Sequence, residues 1–181
     1  MPETIFAELI LGGARSGKSR IAEQLAQASG LRKIYIATAA AGDAEMAERI
    51  RLHRERRSGF ETIEEPLELA RVIAARDDGA SCLLVDCLTL WLTNLLLQGD
   101  ENYFAAQRAA LLEAIASARG RIVLVSNEVG QGVVPMNALS RRFVDESGRL
   151  HQDLAQVCGR VVFVTAGLPQ VLKGPALAGH N

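Results

Sequence analysis

The chain has 181 residues, enough for one α/β domain with a substantial buried core, and its 49% hydrophobic and 23% charged residues are ordinary for a globular protein. The net charge of −1 and the aromatic content of 4% argue against nucleic-acid binding, which needs a basic surface and stacking side chains. No stretch approaches the length of about 20 apolar residues that a membrane helix needs, and the first residues lack a signal-peptide pattern. Three cysteines without C-x-x-C spacing predict neither a zinc site nor disulfides, which fits a cytoplasmic protein.

The strongest motif is the stretch Gly12–Ser19, which fits the phosphate-binding loop (P-loop) pattern G-x-x-x-x-G-K-[ST]. Residues 6–11 before it are apolar and predict a strand, and the segment that begins at Arg20 predicts a helix. In that context the backbone N–H groups of the loop and the helix N-terminus would bind a phosphate. Lys18 would reach the β- and γ-phosphates, and Ser19 would hold Mg²⁺. A glycine-rich turn with an accidental Lys-Ser pair is the alternative, but the flanking segments favour the P-loop.

Strand-like and helix-like segments alternate along the rest of the chain. Further strands are predicted at residues 33–38, 60–65, 81–86, 121–126 and 160–165. Helices are predicted at residues 43–58, 67–76, 88–97, 103–119 and 137–158, the last of which can be interrupted at Gly148. Residues 167–181 are expected to form a short edge element and a loose tail, the tail from residue 170.

This alternation predicts a single domain, residues 1–181, with a mostly parallel sheet covered by helices on both faces. Ligands of such sheets bind beyond the carboxyl ends of the strands. We therefore expect the P-loop, Thr38, Asp86 and Asn127–Glu128 to lie on one rim of the sheet.

Asp86 ends an apolar predicted strand, which is where P-loop proteins place a second acidic ligand for Mg²⁺. Asp86 could instead, or in addition, cap the helix that follows it.

His53 lies in an arginine-rich predicted helix, on the same face as Arg49, Arg56 and Arg57. These cations would repel one another unless an anion, such as a nucleoside triphosphate, lies among them. Cationic neighbours would also keep the imidazole neutral and able to attack a phosphorus atom. The alternative is a solvated basic helix with a surface histidine, and the residues alone favour that alternative.

Three later features point less strongly to a site. Glu64 and Glu65 end a short predicted strand and could accept hydrogen bonds from a ribose or a guanine edge, or form a solvated acidic turn. The stretch Asn127–Pro135 contains two glycines and could approach a ligand closely, or simply connect a strand to a helix. His151, on the late helix, is expected to be partly exposed.

Three stretches together resemble the family of bifunctional adenosylcobinamide kinases / adenosylcobinamide-phosphate guanylyltransferases of cobalamin biosynthesis. The first is the P-loop in the narrow form Gly-Gly-x-Arg-Ser, and the second is Met46–Ile50, which leads to His53. The third is Ser126–Pro135, continued by Leu139, Arg142, Phe143, Asp145, Gly148, Arg149 and Gln152. The resemblance runs from about Ile10 to Lys173. It implies an α/β fold of the P-loop NTPase (RecA-like) class, with a mostly parallel central sheet flanked by helices.

The resemblance implies two reactions. In the first, ATP or GTP phosphorylates the aminopropanol hydroxyl of adenosylcobinamide. In the second, GMP passes from GTP to the new phosphate of adenosylcobinamide phosphate, which gives adenosyl-GDP-cobinamide and pyrophosphate. His53 matches the histidine that becomes guanylylated, so the resemblance favours the nucleophilic role over the surface histidine.

The family pattern also implies the other site residues. It makes His53 and Lys18 catalytic, and it assigns Mg²⁺ to Ser19 and Asp86. The implied nucleotide-binding residues are Gly12, Gly13, Ala14, Arg15, Ser16, Gly17, Lys18, Ser19, Ala37, Thr38, Ala39, Arg54, Glu55, Arg56, Arg57, Glu65 and Asp86.

Two residues depart from the family pattern. Asp86 stands where the family can have Glu, and its shorter side chain reaches less far toward the same site. His151 stands where Asn is expected, so that helix is expected to contact its partner differently.

The resemblance also implies a homotrimer. Two other functions stay open: a kinase in which His53 only positions the substrate, and a nucleotide-binding regulatory module without turnover.

Overall fold

The computed structural model of the protein describes residues 6–39 and 59–177. The strands in these residues are β1 (Ala7–Gly12), β2 (Arg32–Ala37), β3 (Phe60–Glu64), β4 (Ser81–Asp86), β5 (Arg121–Asn127), β6 (Arg160–Thr165) and β7 (Leu168–Lys173). The helices are α1 (Lys18–Ala28), α2 (Leu69–Arg76), α3 (Leu88–Gln98), α4 (Glu101–Ala116) and α5 (Ala138–Val157). The helix predicted at residues 43–58, which includes His53, lies outside the described residues.

The described strands form one seven-stranded sheet in the order β3-β2-β4-β5-β1-β6-β7. All neighbouring strands are parallel except β6 and β7, which are antiparallel. β1 lies between β5 and β6, and its last residue, Gly12, is paired with Asn127 and Val164. The predicted mostly parallel sheet is confirmed, and the P-loop leaves it from an interior strand.

Side chains of the strands alternate between two hydrophobic cores, because successive residues of a strand point to opposite faces of the sheet. Leu9 and Leu11 of β1 lie in the core that includes residues of α2, α3, α4 and α5, whereas Ile10 lies in the core that includes α1. Both faces of the inner strands are therefore buried, which explains their nearly continuous apolar sequences. None of the described helices has the length and apolar character needed to cross a membrane.

Three details differ from the sequence-based expectations. Helix α5 runs through Gly148 without interruption. Helix α2 begins at Leu69 rather than residue 67, since the residues before it form a turn in which the Glu65 carboxylate accepts two backbone N–H groups. The loose tail predicted from residue 170 is wrong for residues 170–177, because β7 ends at Lys173 and Leu177 is buried in the α1-side core. Residues 178–181 lie outside the described part of the chain.

The amino ends of three neighbouring strands meet at a buried ionic group, the Glu8 cluster, which consists of Glu8, Arg121 and Arg160. Glu8 on β1 is fully buried and forms ion pairs with Arg121 on β5 and Arg160 on β6. Two nitrogens of Arg160 donate to Glu8 Oε2, at 2.9 and 2.6 Å. The cluster joins the central strands at the edge of the sheet opposite the P-loop.

Candidate nucleotide-binding site

Two glycines of the P-loop are required for different reasons. A Cβ atom on Gly12 would lie 2.5 Å from the Val164 carbonyl oxygen and 2.6 Å from Ser16 Oγ, so a larger residue there would force the loop to shift. Gly17 has a φ of 95°, a left-handed conformation that glycine adopts without steric penalty. The loop shape therefore depends on close packing at its first glycine and on backbone conformation at its last.

Lys18, the first residue of α1, lies with its buried side chain against the loop. Its Nζ donates a hydrogen bond to the Gly13 carbonyl oxygen at 2.8 Å. An ammonium group has three N–H donors, so this bond leaves others for phosphate oxygens. Burial lowers the pKa of Lys18, and the negative charge of Asp86 opposes that effect.

The start of α1 is suited to an anion. Its N-cap residue, Gly17, supplies no side-chain cap, and the first turn contains no acidic residue, so the helix dipole and N–H groups are not offset locally. The Ser16 Oγ is buried and has no hydrogen-bond partner within the described residues. A buried hydroxyl without a partner is unfavourable, and a bound phosphate would satisfy it.

The turn between β6 and β7 supports the P-loop from the side. The Gly167 N–H donates to the Ser16 carbonyl oxygen at 2.7 Å, and a Cβ atom on Gly17 would lie 3.2 Å from Gly167 Cα. Ala166 and Gly167 both have positive φ, 52° and 79°. Sequence reasoning missed this support, because about 150 positions separate the turn from the loop and nothing local links them.

Asp86 and Thr38 lie side by side on the rim, at the carboxyl ends of β4 and β2. The N-cap of α3 is Cys87, so the alternative prediction that Asp86 caps this helix is wrong. Thr38 is fully buried, and its Oγ1 donates to the Cys87 carbonyl oxygen at 2.7 Å and accepts from the Cys87 N–H at 2.9 Å. The Thr38 side chain thus joins the ends of β2 and β4. The predicted contact of residues 37–39 with the nucleotide stays a prediction.

Glu65 follows β3, which is the outermost strand on one side of the sheet and lies four strands from β1. Its Oε1 accepts from the N–H groups of Leu67 and Glu68, at 3.0 and 2.9 Å, and its Oε2 pairs with Arg71 at 3.2 Å. The carboxylate is therefore ordered at the rim and not part of a solvated turn. Its predicted contact with the nucleotide stays a prediction.

The end of β5 carries a polar group that sequence reasoning only partly found. The Glu128 N–H donates to the Gly12 carbonyl oxygen at 3.0 Å, which places Glu128 beside the P-loop. His151 was expected to be partly exposed, but it is buried, with Nε2 2.8 Å from Ser126 Oγ and Nδ1 3.7 Å from Glu128 Oε2. Burial lowers the pKa of His151, against the opposing influence of Glu128. The sequence held a signal for this burial, because positions 147, 150 and 154 complete one helix face with position 151.

Several predicted site residues lie outside the described residues, namely His53, Arg54, Glu55, Arg56 and Arg57. The structure therefore brings together the P-loop, Lys18, Ser19, Asp86 and residues 37–39, with Glu65 farther along the same rim. Across residues 6–39 and 59–177, no three His, Cys, Asp or Glu side chains cluster as in a protein-only metal site. Mg²⁺ held by one or two protein oxygens and substrate phosphates does not need such a cluster.

The family comparison covers nearly the whole chain. Residues 8–172 match the family model described as cobinamide kinase / cobinamide phosphate guanyltransferase, CobU. The chain is 59% identical to the bifunctional adenosylcobalamin biosynthesis protein CobP of Pseudomonas aeruginosa, across 94% of this chain and 99% of that one. It is 38% identical to the bifunctional adenosylcobalamin biosynthesis protein CobU of Escherichia coli, across 91% of this chain and 98% of that one.

The solved structure of the RadB recombinase shares the fold, with a TM-score of 0.53 and 19% identity over 87% of this chain and 73% of that chain. The expected α/β fold of the P-loop NTPase (RecA-like) class is thereby confirmed. The family match extends from the amino end of β1 into β7, so it includes the P-loop and the whole described rim. The chain belongs to the cobinamide kinase / cobinamide phosphate guanyltransferase family and is a bifunctional enzyme that uses nucleotide substrates in both activities.

Proposed function

We propose that the P-loop, Gly12–Ser19, binds the nucleoside triphosphate in both reactions: ATP or GTP in the kinase step, and GTP in the transfer step. The observation that carries this proposal is the convergence of phosphate-binding groups at one point of the rim. The N-terminus of α1, the Lys18 ammonium and the buried Ser16 hydroxyl all meet there. Each of these groups favours negatively charged oxygen.

In the proposed kinase step, the triphosphate hands its γ-phosphoryl group to the aminopropanol hydroxyl of adenosylcobinamide. The P–O bond to the γ-phosphorus breaks, and the nucleoside diphosphate leaves. Phosphoryl transfer depends mainly on positioning and on charge stabilisation. Lys18 and the helix N-terminus would supply both, since they hold the phosphates and offset the charge on the departing diphosphate.

In the proposed transfer step, an imidazole nitrogen of His53 attacks the α-phosphorus of GTP, and pyrophosphate leaves. A phosphate oxygen of adenosylcobinamide phosphate then attacks the same phosphorus, which releases His53 and gives adenosyl-GDP-cobinamide. A phosphoramidate retains transfer potential, so one difficult displacement becomes two easier ones. Arg54, Glu55, Arg56 and Arg57 would contact the nucleotide beside His53, and residues 37–39 and Glu65 would contact it from the rim.

Mg²⁺ fits the chemistry of the donor set on the rim. Ser19 offers a hydroxyl in the first turn of α1, and Asp86 offers a carboxylate whose charge acts on Lys18. Together with the phosphates, these oxygens suit a hard divalent cation. When bound, the ion would neutralise phosphate charge.

We further propose the cellular setting and assembly. The names of the two bacterial relatives support a place in adenosylcobalamin biosynthesis, and the absence of a C-x-x-C pattern fits the cytoplasm. A homotrimer is proposed from the family resemblance. It would provide cover for the apolar side chains between β5 and α5, of which Val133 and Met136 are each 97% exposed.

The proposal is tested with GTP that carries a label on its α-phosphate. The wild-type protein incubated with this GTP and Mg²⁺ is expected to become covalently labelled and to pass the label to adenosylcobinamide phosphate. His53→Ala is expected to show no covalent label, whereas the control His180→Ala is expected to label as wild type does. Undiminished labelling of His53→Ala would remove the histidine assignment.

A further inference from the structure

The kinase step releases a proton, and the mechanism described so far assigns no residue to accept it. The hydroxyl of the cobinamide side chain loses its proton as its oxygen bonds to the γ-phosphorus. In enzymes that phosphorylate alcohols, a carboxylate commonly accepts this proton. The Lys18 ammonium and the N–H groups at the start of α1 are donors only, and the Ser16 hydroxyl is a poor base, so a carboxylate must be sought elsewhere on the rim.

Four carboxylates of the described residues lie at the carboxyl ends of the strands: Glu64, Glu65, Asp86 and Glu128. The first two follow β3, four strands from β1, a separation of about 19 Å at about 4.8 Å per strand. Asp86 ends β4, two strands from β1, and is the proposed ligand of Mg²⁺. Glu128 follows β5, the direct neighbour of β1, and its N–H is bonded to the first glycine of the P-loop.

We propose that Glu128 is the proton acceptor of the kinase step and that His151 is the residue that positions it. This inference rests on the proposed binding of the triphosphate by the P-loop. As the alcohol oxygen attacks the γ-phosphorus, its O–H bond breaks and the proton passes to a carboxylate oxygen of Glu128. The nucleoside diphosphate leaves with the electrons of the broken P–O bond.

The Glu128 carboxylate is fixed but retains acceptor capacity. Its Oε1 accepts the Gly130 N–H at 2.5 Å, and its Oε2 faces His151 Nδ1 at 3.7 Å. Each carboxylate oxygen has two lone pairs, so both oxygens can accept a further hydrogen bond. The side chain is 22% exposed, which leaves it open to a substrate at the rim.

A chain of hydrogen bonds that leads to His151 determines which nitrogen of its neutral ring carries the proton. Thr89 Oγ1 accepts the Asn127 N–H at 2.8 Å, so its own proton can be donated to Ser126 Oγ, 3.4 Å away. The Ser126 hydroxyl can then donate to His151 Nε2 at 2.8 Å. This arrangement puts the proton of a neutral imidazole on Nδ1, the atom that faces Glu128.

His151 Nδ1 is buried and has no hydrogen-bond partner within the described residues. At 3.7 Å the Glu128 carboxylate is just beyond hydrogen-bond distance. Catalytic hydrogen bonds are often long before substrate binds and shorten in the reactive complex. The unsatisfied donor thus has one acidic partner within reach, and that partner lies beside the P-loop.

Comparing the two reactions of the enzyme shows whether Glu128 is a proton acceptor in the kinase step or a residue that both reactions need. In the transfer step the nucleophile is a phosphate oxygen, which is already anionic near neutral pH and needs no proton acceptor. Glu128→Gln is therefore expected to lower kcat of the kinase step about 100-fold or more. The same variant is expected to transfer GMP to adenosylcobinamide phosphate, and to label His53 with GTP, within about threefold of wild type. Glu113→Gln, an exposed position on α4, serves as the matched control for both steps.

The positioning role of His151 is tested by whether its substitution changes kcat or KM of the kinase step. His151→Leu is expected to lower the kinase kcat about tenfold, as expected for loss of a supporting hydrogen bond, while KM for ATP and the transfer step stay unchanged. His151→Gln, which restores an N–H donor, is expected to recover most of that loss.

Three results would overturn the inference. Glu128→Gln could retain the full kinase kcat, or lose both reactions to the same degree, or lose kinase activity only through a raised KM for ATP. His53 labelling by the same preparation shows that the variant is folded and binds nucleotide. If the wild-type protein is not labelled by GTP, the proposed role of His53 is wrong. The comparison of kinase kcat between wild type and Glu128→Gln would still test the role of Glu128.

Discussion

The sheet has an amino edge, where its parallel strands begin, and a carboxyl edge, where they end. The two edges differ in whether their buried polar groups have hydrogen-bond partners. At the amino edge, the fully buried Glu8 is paired with two arginines, and the carboxylate has four N–H donors on it. At the carboxyl edge, Ser16 Oγ and His151 Nδ1 are buried without a hydrogen-bond partner within the described chain. Satisfied groups stabilise a fold, whereas unsatisfied ones lower its stability and are retained where a ligand completes them. The comparison assigns stability to the amino edge and chemistry to the carboxyl edge.

Removing the charge at the carboxyl edge should have the largest effect on activity. Lys18→Met keeps the length of the side chain but loses the ammonium that holds phosphate, so kcat/KM of both reactions is expected to fall about 10³-fold. Stability should change little or rise, because burial already lowers the pKa of Lys18, which shows that its charge is partly desolvated. Steady-state kinetics and urea unfolding of the same preparation measure both quantities. Loss of stability in step with activity would contradict the division of roles.

Removing the carboxylate at the amino edge should have the opposite result. Glu8→Gln leaves two arginines, one of them buried, without their counter-charge, so the free energy of unfolding is expected to fall by about 3 to 5 kcal/mol. The kcat of the folded fraction should stay within about twofold of wild type, because the cluster lies opposite the P-loop. Urea unfolding and active-site titration with labelled GTP give the two values.

If Glu8→Gln does not fold, Arg121→Met is the second variant, because it leaves Arg160 on the carboxylate. A folded variant with normal stability and a tenfold loss of kcat would place the cluster in the functional machinery, against the comparison.

The P-loop and the mostly parallel sheet could be predicted from local sequence, whereas the contacts that hold the carboxyl edge in place could not. Glycine spacing and apolar strands predicted the loop and the mostly parallel sheet, because these signals lie within a few residues of one another. The strand order, the contact of Gly167 with Ser16 and the pairing of His151 with Ser126 depend on residues brought together only by the completed fold. Glu65 also shows this limit, since its side chain supports the turn before α2, a role that the acidic pair did not reveal.

A pair of matched glycines sharpens the comparison further. Gly17 in the P-loop and Gly79 before β4 both have positive φ, 95° and 77°, so alanine at either position should destabilise the fold by about 1 to 2 kcal/mol. At Gly17 the new Cβ would also press on Gly167, 3.2 Å away, whereas at Gly79 the nearest atom is 3.9 Å away. Gly17→Ala is therefore expected to lower kcat/KM of both reactions about tenfold or more, and Gly79→Ala to leave them unchanged. Equal kinetic losses would show that the strain, and not the location, determines activity.

The smallest expected effect is a pH dependence of stability, which arises at the carboxyl edge from His151. Burial lowers the pKa of His151 below its usual value of 6.5, so between the two pKa values the unfolded chain binds more protons than the folded one. Its contribution is fully present above pH 6.5 and declines as the pH falls below it, by at most about 1.4 kcal/mol per pH unit.

Urea unfolding at about pH 7.5, 6.5 and 5.5, values that span the usual histidine pKa, measures this decline. Wild type should lose stability toward the acidic end, and His151→Gln, which cannot titrate, should lose less. The Glu128 carboxylate works in the other direction, since it favours the protonated imidazole. A wild-type protein that gains stability on acidification relative to His151→Gln would mean that the ion pair with Glu128 outweighs burial, and the carboxyl edge would then hold a charged pair and not the neutral donor that the kinase mechanism requires.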